Sequence, residues 1–191
     1  AFLLKPEDPT YRVPLLSIFR KDIDLTTEEI DLLLVILKAG DFSDKVIVNN
    51  LAKLFLYKNS FNKKSEPVFL AALLGGSEDS KEIVDLVLPK LLSVKRLDSF
   101  ALRFYIGALS ISLPDAKQVH ELIAISYCRS AWKEIDPDLH RKCGDVFDEL
   151  NEEYRAHIIK ETAGLTVFGK IEKIKLLGKD DLRELDKLKS K

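Results

Sequence analysis

The stretch TTEEIDLLLVILKAG, residues 26–40, decides the fold class of this chain. Four of its apolar residues recur at positions i, i+3, i+4 and i+7, the spacing that places side chains on one face of an α-helix. These residues are Ile30, Leu33, Leu34 and Leu37. The pattern therefore predicts a helix with one apolar face.

Both ends of this helix carry recognisable end signals. Thr26 precedes Glu29 by three residues, the spacing at which a hydroxyl and a carboxylate cap a helix start reciprocally. Gly40 stands where such a helix would stop. A second apolar set fills the other side of the segment, so we expect the helix to be buried all round. That set is Leu32, Val35 and Ile36.

Helical periodicity continues along the rest of the chain. Helix starts are predicted near Thr27, Asp44, Glu66, Lys81, Ser99 and Ala116. The last of these helices spans about 115–132, and further helical segments follow at 137–162, 165–177 and 180–187. A pair of helices then takes about 35 residues, close to the period of helical-repeat solenoids. Since no strand pair with an Asn-Gly or Asp-Gly turn competes, we expect an all-α fold, either a helical-repeat solenoid or an irregular multi-helix array.

Two short stretches give this architecture a family resemblance. Residues 46–55, VIVNNLAKLF, resemble the third helix of an armadillo repeat, and residues 69–76, FLAALLGG, are similar to helix ends in armadillo and HEAT arrays. The resemblance implies that Asn50, and less directly Asn49, binds the backbone of an extended peptide. No tryptophan accompanies this asparagine and no second one occupies the matching place in later helices, so a regular ladder of asparagines is not expected.

The end of the chain has a different pattern. We expect residues 1–162 to form the helical array and residues 163–191 to form amphipathic helices that cap the same domain. The capping segment has two apolar stripes with lysines on the polar side. The stripes are Phe168, Ile171 and Ile174, followed by Leu182, Leu185 and Leu188. Proline residues at 6, 9 and 14 predict an extended arm before the first helix.

Motifs for metal binding and catalysis do not emerge from the sequence. His140 and Cys143 lie three apart, and Cys128 with a nearby aspartate would complete a metal site, but the tight ligand pairs typical of zinc sites are missing. No Gly-x-Ser-x-Gly elbow is present, and His120 and His157 stand among charged helical neighbours. We therefore expect solvated or capping histidines, no cofactor, no small-molecule substrate and no enzymatic activity.

Cysteine content and hydropathy suggest the compartment. Two cysteines are too few for a disulfide scaffold, so a reducing environment is expected. The first residues lack the basic segment and long apolar run of a signal peptide, and the longest apolar stretch is far shorter than a membrane helix. We expect a protein of the cytoplasm or nucleus.

These patterns predict a protein-binding scaffold, adaptor or regulatory subunit, whose partner is another protein or a peptide segment. The candidate contacts are Asn50, Lys53, Tyr57 and Trp132. The tryptophan joins them because an exposed indole is a strong contact anchor, although burial in the core is its commoner fate.

The alternative is a helical module that binds nucleic acid or a membrane surface. It would use the lysine-rich end of the chain together with Lys63, Lys64, Lys95 and Arg96. The chain carries 30 Lys and Arg against 31 Asp and Glu, and this balance gives no general attraction to polyanions.

Overall fold

A computed structural model describes residues 25–163, except Ser112, Pro114 and Ala131. This part is all-helical and contains no strand, as the periodicity predicts. Its eight helices are α1 (Thr27–Ala39), α2 (Lys45–Tyr57), α3 (Glu66–Leu74), α4 (Ser80–Ser93), α5 (Ser99–Ala108), α6 (Ala116–Cys128), α7 (Pro137–Asp148) and α8 (Glu152–Ala163). The chain divides into two compact units, Ala1–Val87 and Leu88–Lys191, with the boundary inside α4.

Local hydrogen bonds explain why the helices of the first unit begin and end where they do. The Thr26 hydroxyl accepts from the backbone amide of Glu29 at 3.3 Å, and the Glu29 carboxylate accepts from the amide of Thr26 at 2.7 Å. The predicted capping box is therefore confirmed, as is the helix end at Gly40. Asp44 caps α2 in the same manner, since its carboxylate accepts from the Ile47 amide at 3.2 Å.

The core of the first unit lies where α2 packs against α3. The rings of Phe55 and Phe69 meet edge to face there, with centroids 6.1 Å apart. Helix α3 ends at Gly75, and the following Gly76 has a φ of 70°, which glycine adopts without steric cost. The largest fully buried side chains of this unit are Leu33, Ile36, Leu37, Ile47, Leu51, Phe69 and Ile83.

One prediction for α1 is wrong. The helix is not buried all round, because Leu32 is 41% exposed and Val35 is 50% exposed. Its buried residues, Ile30, Leu33, Ile36 and Leu37, follow the i, i+3 spacing of a single face. Composition alone misled the prediction, because an apolar side chain on the outer face of a helix is common in soluble proteins.

The second unit is organised around α6, which packs against α5, α7 and α8. Helix α5 begins at Ser99, where a helix start was predicted, and Asp98 caps it by accepting from the Ala101 amide at 2.9 Å. Asp136 stabilises the start of α7 through two contacts. Its carboxylate caps the helix by accepting from the Leu139 amide at 3.0 Å, and it forms an ion pair with Arg103 of α5 at 2.6 Å. The largest fully buried side chains of this unit are Leu91, Leu102, Phe104, Tyr105 and Trp132.

Two predicted segments of this unit are shorter than expected. The segment 137–162 is two helices, because the Asn151 side chain accepts from the Tyr154 amide at 2.8 Å and starts a new helix. The segment 115–132 ends as a helix at Cys128, and Ser130 has a φ of 50°. Helices α7 and α8 both pack on α6, which one straight helix of that length would not allow.

Other predictions fall outside the described residues. These are the N-terminal arm and, apart from Ala163, the amphipathic segment 163–191. Among the helices that are described, none has the length and apolar character needed to cross a membrane.

Candidate functional site

Three of the four predicted contact residues lie on α2. Counted from Val46, the positions of Asn50, Lys53 and Tyr57 are i+4, i+7 and i+11, so all four side chains leave the helix within an arc of about 60°. Tyr57 is 90% exposed and Val46 is 50% exposed, while Asn50 is half-buried. We call these four residues the α2 stripe.

The α2 stripe borders the turn between α3 and α4. The ammonium group of Lys53 lies 3.6 Å from a carboxylate oxygen of Asp79, and the Lys45 ammonium donates to the Gly75 carbonyl at 3.4 Å. Both contacts join α2 to that turn. The stripe therefore has one polar border that belongs to the first unit.

Trp132 does not share this surface. Its side chain is only 2% exposed and belongs to the core of the second unit. The indole is the largest apolar side chain available, and covering it removes more apolar area from water than any other residue would. A buried indole offers no contact area, so we leave Trp132 out of the docking surface.

The basic residues of the alternative hypothesis are largely paired with acids. Lys63 lies 3.3 Å from Glu66, Lys64 lies 2.6 Å from Asp31, and Arg96 pairs with Asp98. Lys95 is exposed. These ion pairs reduce the positive field that the residues present. The lysine-rich end lies outside the described residues.

A cavity of about 500 Å³ that sequence analysis did not predict lies in the second unit, between α6 and the start of α8. Its lining is Lys117, His120, Leu150, Asn151, Glu153, Tyr154 and His157. The only feature of the sequence that could have indicated this cavity is the spacing of three residues within each pair of lining residues. Lys117 and His120 share a face of one helix, and Tyr154 and His157 share a face of another. That these two faces meet depends on the break between α7 and α8.

Several contacts fix the orientation of the side chains around this cavity. The Nδ1 atom of His120 lies 2.7 Å from the Ala116 carbonyl, and the Tyr154 hydroxyl donates to Glu121 at 3.3 Å. Burial, followed by the Glu121 carboxylate, raises the pKa of Tyr154, so this hydroxyl keeps its proton. The Lys117 ammonium lies 5.9 Å from the centroid of the Tyr154 ring, within cation–π range.

A second cavity, of about 450 Å³, lies between α6, α7 and α8. Its lining is Tyr127, Cys128, Ser130, Lys133, His140, Ile159 and Thr162. The Tyr127 ring stacks on His140 at 4.8 Å between centroids and lies 5.2 Å from the Phe147 ring. Burial, and then the charge of Lys133, lowers the pKa of His140.

Neither thiol is activated. Burial raises the pKa of Cys128, and it raises the pKa of Cys143 to about 12. Thiolate is the reactive form of cysteine, so both groups are poor nucleophiles near neutral pH. Across the described ranges there is no cluster of three or more His, Cys, Asp or Glu side chains arranged to hold a metal ion.

Comparison of the chain with protein-family models, with curated proteins and with solved structures finds no match.

Proposed function

We propose that this chain is a non-enzymatic protein-binding module, acting as a scaffold, adaptor or regulatory subunit, and that it docks a segment of another protein on the α2 stripe. The observation that carries the proposal is the exposure of Tyr57 in line with Val46 on a helix whose opposite side is in the core. Exposed aromatic side chains are the commonest anchors of protein interfaces.

The setting of the stripe suits binding. The other face of α2 is held by buried Ile47, Leu51 and Phe55, and α2 packs against α3. A surface on a rigid element loses little conformational entropy when a partner docks, so more of the contact energy contributes to affinity. Tyr57 lies in the last turn of α2, at one end of the stripe.

The length of the stripe indicates the kind of segment that fits. From Val46 to Tyr57 the helix rises about 16 Å. An extended chain covers that distance in about five residues. Such a segment would place apolar side chains on Val46 and Tyr57 and its backbone beside the Asn50 amide. The resemblance of residues 46–55 to an armadillo repeat supports this role for Asn50.

The same proposal includes an architecture and a compartment. It takes the consecutive short helices as an armadillo- or HEAT-like repeat array, a reading supported by the packing of neighbouring helices α2 on α3 and α6 on α7. It places the protein in the cytoplasm or nucleus. The free state of both cysteines is consistent with a reducing compartment.

The test compares three full-length chains in selections from a library of displayed peptides. They are the wild type, Tyr57→Ser, and Val35→Ser as the matched control, because Val35 is an exposed apolar residue on another helix of the same unit. Both changes are at exposed positions, so unfolding midpoints should stay close to that of the wild type.

We expect peptides selected on the wild type to bind Tyr57→Ser at least about tenfold more weakly, as for an interface anchor, and to bind Val35→Ser equally well. The preferred peptides should have an aromatic or aliphatic residue at each end of a core of about five residues. Equal binding to Tyr57→Ser, or no enrichment on the wild type, would reject the α2 stripe as the docking surface.

A further inference from the structure

The second cavity, which lies between α6, α7 and α8, is lined by polar groups that the fold leaves without a partner. We propose that it binds a small carboxylate with an apolar body, whose charged end is held by Lys133 and the neighbouring hydroxyl groups. Its volume of about 450 Å³ falls within the range of ligand sites in proteins, about 300–1,000 Å³. All its lining residues belong to the second unit, so the proposal is independent of the α2 stripe.

The first argument is a set of four side-chain groups that can donate hydrogen bonds to a ligand. They are the Lys133 ammonium, the hydroxyls of Tyr127 and Ser130, and Nε2 of His140. In the part of the chain that the structure describes, none of these four groups has a hydrogen-bond or ion-pair partner. By contrast, the Thr162 hydroxyl of the same lining donates to the Ile158 carbonyl at 2.8 Å. The four groups are therefore available to the oxygens of a ligand.

The second argument is the sign of the charge. Lys133 gives the lining a positive charge, and no carboxylate of the described residues lines the cavity. Two acids at the start of α7 are already engaged with arginines, Asp136 with Arg103 and Asp138 with Arg141. The lining is thus positive at neutral pH without a protonated histidine, and it favours an anion.

The titratable groups of the lining agree with this sign. Burial, and then the charge of Lys133, lowers the pKa of His140. Burial raises the pKa of Cys128, and a hydrogen bond with Thr162 opposes that effect. Among the described residues, no carboxylate acts on either pKa, whereas Asp136 helps to raise the pKa of Cys143 deeper in the unit. The cavity is therefore set apart from the acids of α7.

His140 supplies a donor in its neutral form. Its Nδ1 atom is buried and has no hydrogen-bond partner in the described part, so a proton there would be an unpaired buried donor. Buried N–H groups without a partner are rarer in proteins than buried acceptors without one. The single proton of the neutral ring is therefore assigned to Nε2, the accessible nitrogen, which then donates to the ligand.

The third argument is the apolar part of the lining, which suits the body of the ligand. Ile159 is 51% exposed and stands beside the half-buried rings of Tyr127 and His140. Those rings are fixed, because they stack at 4.8 Å between centroids and Phe147 lies 5.2 Å from Tyr127. An apolar group that covers this wall gains about 25 cal/mol for each Å² removed from water. A carboxylate with an apolar body therefore matches both parts of the lining.

The experiment is an NMR titration of the isotope-labelled full chain at about pH 7.5, where carboxylates are ionised and His140 is neutral. Three probes are used in turn: benzoate has both parts of the proposed ligand, benzamide lacks the charge, and acetate lacks the apolar body. Ionic strength is kept constant with chloride.

The variants separate the two parts of the lining. Lys133→Gln removes the charge and Ile159→Ser removes part of the apolar wall. The matched control is Lys117→Gln, because Lys117 is an exposed lysine that lines the other cavity. Lys133 and Ile159 are also exposed, so the unfolding midpoints should stay close to that of the wild type.

We expect saturable shifts for benzoate, confined to residues 127–133, 140 and 159–162, and binding at least about tenfold tighter than that of acetate. Lys133→Gln should weaken benzoate binding by about two- to fivefold, as for an exposed ion pair, and leave benzamide binding unchanged. Ile159→Ser should weaken the binding of benzoate and benzamide alike, by about fivefold. Lys117→Gln should change nothing.

Three results would overturn the proposal. The first is a set of benzoate shifts that stays linear in probe concentration or lies away from the lining. The second is benzamide or acetate binding as tight as that of benzoate, and the third is benzoate binding that Lys133→Gln leaves unchanged or that Lys117→Gln weakens equally. None of these results bears on the α2 stripe, because that surface is tested with other variants and another assay.

Discussion

Replacing Gly144 by alanine tests the packing that joins α6 to α7. Gly144 is buried in α7, and a Cβ atom added there would lie 2.9 Å from Cε2 and 3.3 Å from Cζ of the Tyr127 ring. The ring has little room to move, because His140 and Phe147 lie against it at centroid distances of 4.8 and 5.2 Å. The methyl group must therefore displace the ring or push the helices apart.

Two opposing effects determine the expected free energy. Alanine is the better helix former and would stabilise α7 by about 1 kcal/mol. Overpacking of a close contact costs about 1–3 kcal/mol. We therefore expect the free energy of unfolding of Gly144→Ala to fall by about 1 kcal/mol, within a range of roughly 0–2 kcal/mol.

The assay is urea unfolding followed by the fluorescence of Trp132, the single tryptophan of the chain, which is buried in the same unit. Tyr127→Leu provides the matched background, because it removes the ring that the methyl group would meet. In that background Gly144→Ala should stabilise by about 1 kcal/mol, so the double-mutant cycle should show a coupling of at least about 1 kcal/mol. A stabilising effect of Gly144→Ala in the wild-type background, with no coupling to Tyr127, would refute the packing argument.

Four further predictions concern three residues of the second unit. Asp136→Asn keeps the cap of α7 but loses the charge paired with Arg103, whereas Asp136→Ala loses both. In urea unfolding, the free energy of unfolding of Asp136→Ala should therefore be about 1 kcal/mol lower than that of Asp136→Asn. Equal values for the two variants would exclude the cap. Tyr105 is buried and its hydroxyl has no hydrogen-bond partner in the described part, so Tyr105→Phe should be neutral or up to about 1 kcal/mol more stable, and a loss above that size would show a missed partner. Burial also raises the pKa of Tyr105, so as the pH rises this hydroxyl loses its proton in the unfolded chain before it does so in the folded chain. The free energy of unfolding should therefore fall above about pH 10, and it should fall less steeply in Tyr105→Phe. The lowered pKa of His140 has the opposite consequence: the unfolded chain takes up a proton first as the pH falls below about 6.5, so stability should decrease there, and a pH profile unchanged in His140→Gln would contradict this.

The positions of most helix starts could be predicted because the signals that determine them are local. The reciprocal cap of Thr26 and Glu29 and the cap by Asp98 each involve residues three apart, and the chain brings them together without help from the rest of the fold. The break before Glu152 was missed although Asn151 caps α8 there. The helical periodicity of the apolar residues passes through this break, so periodicity could not show that the chain turns.

Which residues share a helix face is also determined by the sequence, because the helical period alone sets it. That rule places Asn50, Lys53 and Tyr57 together on α2. Exposure is different, because it depends on what packs against each face. Only the tertiary structure decides that Tyr57 faces solvent, that Trp132 is buried, and that the histidines of α6 and α8 meet around one cavity. The contacts at this cavity join residues more than 30 positions apart, such as Glu121 and Tyr154. A local sequence pattern cannot predict contacts at that separation, because they depend on how whole helices pack.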